Sequence, residues 1–295
     1  MKTILSTSLL ILLLTPVSAL ASPVPDSALE WARFTKELAE AGLPARFITL
    51  LPTEFVQLEF ADLRTAAAEY HPTGHRMVFH LALSENHEGR RFRPVRDISN
   101  HELATMYHEL FHAYFDYLDF AAGSAKMPED AVRIRTQATQ LLACRYTVVD
   151  VVSGPGQKAR QRKVSTEHRR LSESEGWDAL NETWGVFVGW AIWNKLEVTN
   201  RFQIDWDAEA VELFWDRLSE AYEDGTLTGY FEPADPQARQ VLPRLYLARS
   251  SAISTAEIAL LLEGILEESP GIVRMTVDWI AANQSNQPGV QSCES

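Results

Sequence analysis

Apolar residues recur at intervals of three and four between positions 100 and 120, which is the spacing of an amphipathic helix. Ser99 and Glu102 form a capping-box pattern, so the helix is predicted to begin at Asn100. No Gly or Pro interrupts the stretch before Gly123. The predicted apolar stripe consists of Leu103, Met106, Tyr107, Leu110, Phe111, Tyr114 and Leu118.

A second stretch, from Thr183 to Trp193, is almost entirely apolar or small. This composition predicts a helix at about 179–197 that is buried on all sides. Glu182 stands at its entrance, where a buried carboxylate is costly unless it is paired or binds a metal. The alternative is a Glu in the first helical turn that is favoured by the helix dipole and keeps its carboxylate in water.

Alternating residues from Phe55 to Phe60 and a hairpin pattern around the turn at His71–Gly74 predict a small antiparallel sheet at about 50–84. Helical patterns dominate the rest of the chain, so the predicted fold class is α+β, with one domain over residues 22–295. Further helices are predicted at 27–41, 129–149, 205–224, 235–249 and 254–268.

The first 21 residues differ in character from the rest. Lys2 precedes an apolar run, and Ala19–Ala21 has the small-x-small pattern of a cleavage site. A secretory signal peptide that is cleaved after Ala21 is therefore predicted, with export to the periplasm or the medium. The apolar run is too short to span a bilayer, and no later stretch reaches that length.

The chain of 295 residues is 46% hydrophobic and 23% charged, as in an ordinary globular protein. Its net charge of −13 argues against binding to nucleic acid or to anionic lipid, because both carry negative charge. The two cysteines, Cys144 and Cys293, allow two interpretations. They form a disulfide in an oxidising compartment, or they are one buried and one free thiol.

The first predicted helix contains the motif His-Glu-x-x-His, with His108 and His112 four residues apart. On a helix this spacing places both imidazoles on one face, where they can share one Zn²⁺ with Zn–N bonds of about 2.0–2.1 Å. Glu109 then leans toward the open side of the metal, where it can take a proton from bound water. The alternative is a pair of solvated surface histidines, and the uncharged neighbours of the motif argue against it.

A zinc site with two histidines needs another protein ligand, and Glu182 on the second helix is the preferred candidate. Other candidates for the third ligand are His168, Glu173, Glu175 and Asp178. A second electrophile is expected among His168, Tyr222, Tyr230 and Tyr246, which the sequence does not rank.

Residues 105–114, Thr-Met-Tyr-His-Glu-Leu-Phe-His-Ala-Tyr, resemble the longer motif of the zincin superfamily of metallopeptidases. The segment Leu180–Glu182, followed by Gly185, is similar to the Asn-Glu segment of gluzincins. In that group a Glu on a second helix is the third zinc ligand. The resemblance therefore also implies that Glu182 binds the metal.

The chain departs from related patterns at three positions. The metzincin pattern is absent, because Phe115 and Leu118 stand where it requires Gly and His. The Asp that gluzincins often place four residues after the third ligand is replaced by Val186. Asp116 or Asp178 is therefore expected to orient a zinc-bound histidine.

The resemblance implies a zincin-like zinc hydrolase that cleaves a peptide or protein substrate, and the predicted signal peptide adds that it is exported. Its metal ligands would be His108, His112 and Glu182, with water in the fourth position. Glu109 would act as the general base. Two alternatives stay open: a zincin-like envelope protein that has lost catalysis and binds a partner, and a secreted helical binding protein without a metal.

Overall fold

The structure is a computed structural model, and it describes residues 22–23, 27–64, 66–86, 89, 91–122, 127–153, 165–199 and 206–283. The predicted signal peptide at 1–21 and Cys293 lie outside the described residues.

Helices and small sheets alternate along the chain, and the predicted α+β class is confirmed. The helices are α1 Ser27–Glu40, α2 Arg46–Thr49, α3 Asn100–Phe120, α4 Glu129–Ala143, α5 Glu173–Val198, α6 Ala208–Asp224, α7 Pro236–Val241, α8 Thr255–Gly264 and α9 Pro270–Asn283. The strands are β1 Ser22–Pro23, β2 Gln57–Ala61, β3 Ala68–His71, β4 Arg76–His80, β5 Val148–Ser153, β6 Ser165–Arg170, β7 Tyr230–Phe231 and β8 Leu245–Tyr246. The helices predicted at 27–41, 205–224 and 254–268 are observed as α1, α6 and α8, although α8 ends at Gly264, before the predicted end.

Helix α3 begins where the capping box predicts. The backbone N–H of Glu102 donates to Ser99 Oγ, and the backbone N–H of Ser99 donates to the Glu102 carboxylate. Every residue of the predicted apolar stripe is buried. The hydroxyl of Tyr107 donates to the carbonyl oxygen of Pro44 at 2.6 Å, so its buried polar atom is satisfied.

Helix α5 starts at Glu173, before the predicted position, because Ser172 and Glu175 form a second capping box. Its middle is buried on nearly all sides, as predicted, and Trp193 is the exposed exception at 39%. Helix α3 packs more extensively against α5 than against any other element. This pair forms the centre of the hydrophobic core.

The sheet before α3 has the strand order β1-β2-β4-β3. Strands β3 and β4 form the predicted antiparallel hairpin, with Tyr70 opposite Met77. The sheet is mixed rather than wholly antiparallel, because β2 runs parallel to β4. The chain passes from β2 to the far edge of the sheet before it returns through β4. Strand β3 is therefore an edge strand, and it lies against α3.

The helix predicted at 129–149 ends at Ala143, and the prediction is wrong beyond that residue. The chain continues as β5, which pairs antiparallel with β6. Val149 and Val151 are buried, while the valines on either side of them are exposed, which is the alternation of a strand. β-Branched valines favour extended backbone, and here this preference outweighs the helical spacing.

The helix predicted at 235–249 is also too long, because α7 ends at Val241. Pro243 follows, and a proline has no N–H to donate and clashes with the preceding helical turn. The chain instead forms β8, which pairs antiparallel with β7 and places Tyr230 opposite Tyr246. Strand β7 in turn packs against α5.

Cys144, at the end of α4, is disulfide-bonded, and no cysteine of the described residues is free. Cys293, the other cysteine of the chain, lies outside the described residues. Across the ranges given above, no helix has both the length and the apolar character needed to cross a membrane.

Candidate metal centre

The imidazoles of His108 and His112 meet on one face of α3. Their Nε2 atoms are 2.9 Å apart, and the ring planes are nearly perpendicular. His112 is buried, and His108 is partly exposed. Two nitrogens at this distance cannot both carry a proton between them, so at least one presents a lone pair.

Glu182 projects from α5 toward the two imidazoles. Its Oε2 lies 3.6 Å from His108 Nε2, and its Oε1 lies 3.7 Å from His112 Nε2. One ligand atom from each residue lies within 4.8 Å of the other two. The Oε2 atom is buried and has no hydrogen-bond partner in the described part of the chain. A buried carboxylate oxygen without a donor is costly unless a cation lies beside it.

Two opposing effects act on the pKa of Glu182. Burial raises it, but the interactions with His108, His112 and Tyr230 together outweigh burial, so the pKa lies below its ordinary value. The carboxylate is therefore ionised at neutral pH. This is the form in which a carboxylate binds a metal.

Asn181, the residue before Glu182, orients one of the histidines. Its Oδ1 lies 2.9 Å from His112 Nδ1. An amide oxygen can only accept, so Nδ1 carries the proton and Nε2 presents its lone pair to the site. For His112, the expectation that Asp116 or Asp178 supplies the orienting oxygen is wrong, because Asn181 already bonds the only nitrogen that faces away from the site.

Two glycines one turn apart on α5 allow the close contact with α3. A Cβ atom on Gly185 would lie 2.9 Å from Cε1 of His112 and 3.2 Å from Cε1 of His108. A Cβ atom on Gly189 would lie 3.0 Å from the carbonyl oxygen of Ala104. Any larger residue would move the rings or separate the helices, so glycine is what lets the three ligand side chains meet.

Glu109 lies beside the cluster, and β3 holds it in place. The backbone N–H of Tyr70 donates to Glu109 Oε2 at 2.8 Å. Burial raises the pKa of Glu109, while the neighbouring His112 and the hydrogen bond from the Tyr70 N–H act against that rise. The predicted general base is thus close to the metal-ligand group and fixed by a backbone donor.

A second set of contacts ties the β3–β4 hairpin to α3, and sequence reasoning missed it. The Tyr70 hydroxyl donates to Asp116 Oδ2, and His75 Nδ1 lies 2.8 Å from the same oxygen. Asp116 lies two turns after Glu109 on α3. Tyr70 therefore contacts α3 at two positions, with its backbone N–H on Glu109 and its hydroxyl on Asp116. The helical spacing of the two acids was visible in the sequence, but the partner on a separate strand was not.

Of the four candidates for a second electrophile, Tyr230 is the one at the cluster. Burial raises its pKa, and the negative charge of Glu182 raises it further. Tyr222 donates to the carbonyl oxygen of Ile253 instead, and His168 is 84% exposed and paired with Asp150. Tyr246 lies behind Tyr230, with 5.7 Å between the ring centroids.

The other candidates for the third ligand lie elsewhere. Glu173 is exposed in the first turn of α5, and Glu175 bonds Ser172 in the capping box. Asp178 stands one turn before Glu182, where burial and the charges of neighbouring acids raise its pKa to about 6. Within the described ranges, Glu182 is the acid that completes a metal-ligand group with the two histidines.

The residues of this group fit a zinc-type cation. Two imidazole nitrogens and one carboxylate form a common three-ligand set of catalytic zinc sites, which leave a fourth position open. The unpartnered Oε2 of Glu182 and the lone pair on His112 both point to a missing positive partner. Among the described residues, no second group of His, Cys, Asp and Glu has this spacing.

Comparison of the chain with protein-family models, with curated proteins and with solved structures gives no match. The chemistry of the site is therefore inferred from its own residues.

Proposed function

We propose that this chain is an exported, zinc-dependent metallopeptidase of the zincin type, with His108, His112 and Glu182 as zinc ligands. The observation that carries the proposal is the buried Oε2 of Glu182, which faces two imidazole nitrogens and receives no hydrogen bond from any described residue. A divalent cation at this point would satisfy all three ligand groups. A purely structural pair of histidines would not need the third residue.

The chain's own residues supply the acid–base part of the reaction. When bound, zinc acts as a Lewis acid and lowers the pKa of water to about 7. Glu109, fixed by the Tyr70 N–H, accepts the proton of the attacking water and delivers it to the leaving amine. Tyr230 faces Glu182 and donates a hydrogen bond to the oxyanion that develops on the scissile carbonyl.

The position of β3 favours a peptide as the substrate. It is an edge strand, and one of its backbone N–H groups already holds the general base. Edge strands bind extended peptides by adding a strand to the sheet. A peptide aligned along β3 would place its backbone carbonyls beside the cluster. The export part of the proposal depends on the signal-peptide pattern at 1–21.

The test is the Glu109→Gln variant, prepared without a histidine tag and loaded with zinc. The variant should bind zinc as the wild type does, because residue 109 is not a ligand. Its cleavage of a peptide library, followed by mass spectrometry, should fall by about 100- to 10,000-fold. Asp119→Asn, an exposed acid on the same helix, is the matched control and should keep full activity.

Full activity in Glu109→Gln would refute the role of Glu109. A zinc-loaded wild type that cleaves no peptide of the library would instead favour the inactive, partner-binding alternative.

A further inference from the structure

Arg244 lies at the start of β8, next to the candidate metal centre. Its guanidinium carbon stands over the ring of Tyr230, 4.4 Å from the ring centroid. Such a cation–π contact holds the planar group against the ring and leaves its N–H edges free. Because Tyr230 faces Glu182, this contact brings a positive charge to the rim of the cluster.

The surroundings of Arg244 are otherwise acidic. Glu109 and Glu182 lie at the cluster, and Asp178 follows one turn away on α5. Even so, Arg244 forms no ion pair with any carboxylate in the described part of the chain, and its side chain is exposed. An arginine in this position has five N–H donors and no anionic partner.

Arg239, on α7, shows how an arginine with a structural role behaves in the same segment. Its guanidinium lies 3.8 Å from Glu232, and its Nε donates to the carbonyl oxygen of Pro233 at 3.0 Å. It therefore ties α7 to the segment after β7. Arg244 has no equivalent ion pair or hydrogen bond to a described residue.

We propose that Arg244 binds a carboxylate of the peptide substrate and makes the enzyme selective for anionic peptides. The proposal rests on the proposed peptidase function and names its substrate class. A guanidinium pairs with a carboxylate through two parallel hydrogen bonds, which fix orientation as well as position. Glu109, Glu182 and Asp178 repel an anionic peptide, so its pairing with Arg244 also sets the register of the chain.

The carboxylate has two sources, the C-terminus of the peptide or an Asp or Glu side chain. Three peptides of one sequence separate them: one neutral and amidated, one with a free C-terminus, and one amidated with a single Glu. Binding is measured by calorimetry on the zinc-loaded Glu109→Gln protein, which is expected to hold peptide without cleaving it.

One of the two anionic peptides should bind about tenfold more tightly than the neutral one, the size expected for a hydrogen bond to a charged group. The preference should disappear in Glu109→Gln/Arg244→Ala and return in part with lysine at position 244. Arg239→Ala, in the same background, is the matched control and should keep the preference. Tighter binding of the free C-terminus indicates an exopeptidase, and tighter binding of the Glu peptide indicates cleavage near internal acids.

Equal binding of all three peptides would overturn the proposal, as would a preference that survives Arg244→Ala. Its failure is distinguishable from failure of the peptidase proposal. Cleavage without charge preference removes the role of Arg244 and keeps the peptidase. Charge-selective binding without cleavage by the wild type would support the role of Arg244 and refute the peptidase proposal.

Discussion

Two carboxylates at helix α5 are partnered in opposite ways, Glu182 with one buried oxygen and Glu257 completely buried. Glu182 belongs to α5 and faces α3. Glu257 belongs to α8 and accepts a hydrogen bond from the indole N–H of Trp184 on α5. Residues 182 and 184 point in nearly opposite directions, because each helical residue turns by about 100°. The two sites thus share one helix and much of one core.

Glu257 is completely buried, and donors surround it. Its Oε1 accepts from the Tyr146 hydroxyl at 3.0 Å and from Trp184 Nε1 at 2.9 Å. Its Oε2 lies 3.0 Å from Arg145 Nη1 and accepts from the backbone N–H of Ser254 at 2.8 Å. The Glu257 network therefore joins the segment after α4, the middle of α5 and the start of α8.

The difference separates a structural carboxylate from a ligand-binding one. Both carboxylate oxygens of Glu257 accept hydrogen bonds from protein donors, and Arg145 Nη1, which has no hydrogen-bond partner among the described residues, still has the charge of Glu257 beside it. A buried carboxylate oxygen that faces lone pairs and has no donor is stable only if something else binds there. We therefore infer that Glu257 stabilises the fold and that Glu182 binds a metal.

The largest expected effect is on stability, at Glu257. Glu257→Ala should lower the free energy of unfolding by about 3–5 kcal/mol, because Arg145 would keep a buried charge without a counter-ion. Urea unfolding of the metal-free protein measures the change. Zinc uptake per folded molecule should stay as in the wild type.

The control removes both charges at once. Arg145→Met combined with Glu257→Gln should recover most of the lost stability, since no charge is then buried alone. It also provides a folded protein if the single variant does not fold. An unchanged stability in Glu257→Ala would break the comparison, because the network would then have no structural role.

A smaller effect is expected at the contact between α3 and α5. Gly185→Ala places a methyl group against both imidazoles and should weaken zinc binding by about 10- to 100-fold, the range seen when ligand orientation is lost. Gly271→Ala, where the new methyl would meet only Ser269 Oγ at 3.7 Å, is the matched control. Equal zinc affinity in the two variants would show that the rings do not depend on Gly185.

The smallest effect concerns Asp178, a third carboxylate, which forms no close ion pair with any described residue and lies near other acids. Its pKa is about 6 in the folded protein and 3.8 in the reference state, so the folded state binds the proton more tightly. Ionisation therefore costs stability, and the cost grows as the pH rises from about 4 to about 6.

Asp178→Asn removes that cost. In the metal-free protein this variant should raise the free energy of unfolding by about 1 kcal/mol above pH 6, a value reduced because the side chain is partly exposed. Below about pH 4 it should leave the free energy of unfolding unchanged. Urea unfolding at both pH values measures the difference. An equal gain in the free energy of unfolding at both pH values would show that the gain does not come from the ionisation of Asp178.

Local signals predicted the parts of the site that lie within single helices. The capping box at Ser99, the helical spacing of α3 and the apolar middle of α5 are short-range patterns, and the ligand residues lie on those helices. The partners from separate elements were not predictable, because the Tyr70 N–H reaches Glu109 across 39 positions of sequence. The same holds for Asn181 opposite His112, whose contact depends on the packing of two helices.

The main errors in the predicted fold concern short strands. The valines of β5 and the segment after α7 carry helical spacing that is too brief to decide between helix and strand. Pairing with β6 and β7 decides it, and those partners are distant in the sequence. Arg244 was missed for this reason, since its place beside Tyr230 follows from the β7–β8 hairpin.

Zinc titration of the untagged, metal-free protein, with the wild type beside Glu182→Gln, tests the central claim most directly. The wild type should take up one zinc ion per chain. Glu182→Gln should bind it at least about 100-fold more weakly, because losing a ligand matters more than losing a group that orients a ligand, which costs about 10- to 100-fold. The metal-free stability of this variant should change by less than about 1 kcal/mol. A wild type without zinc affinity, or equal affinity in the two proteins, would contradict the account.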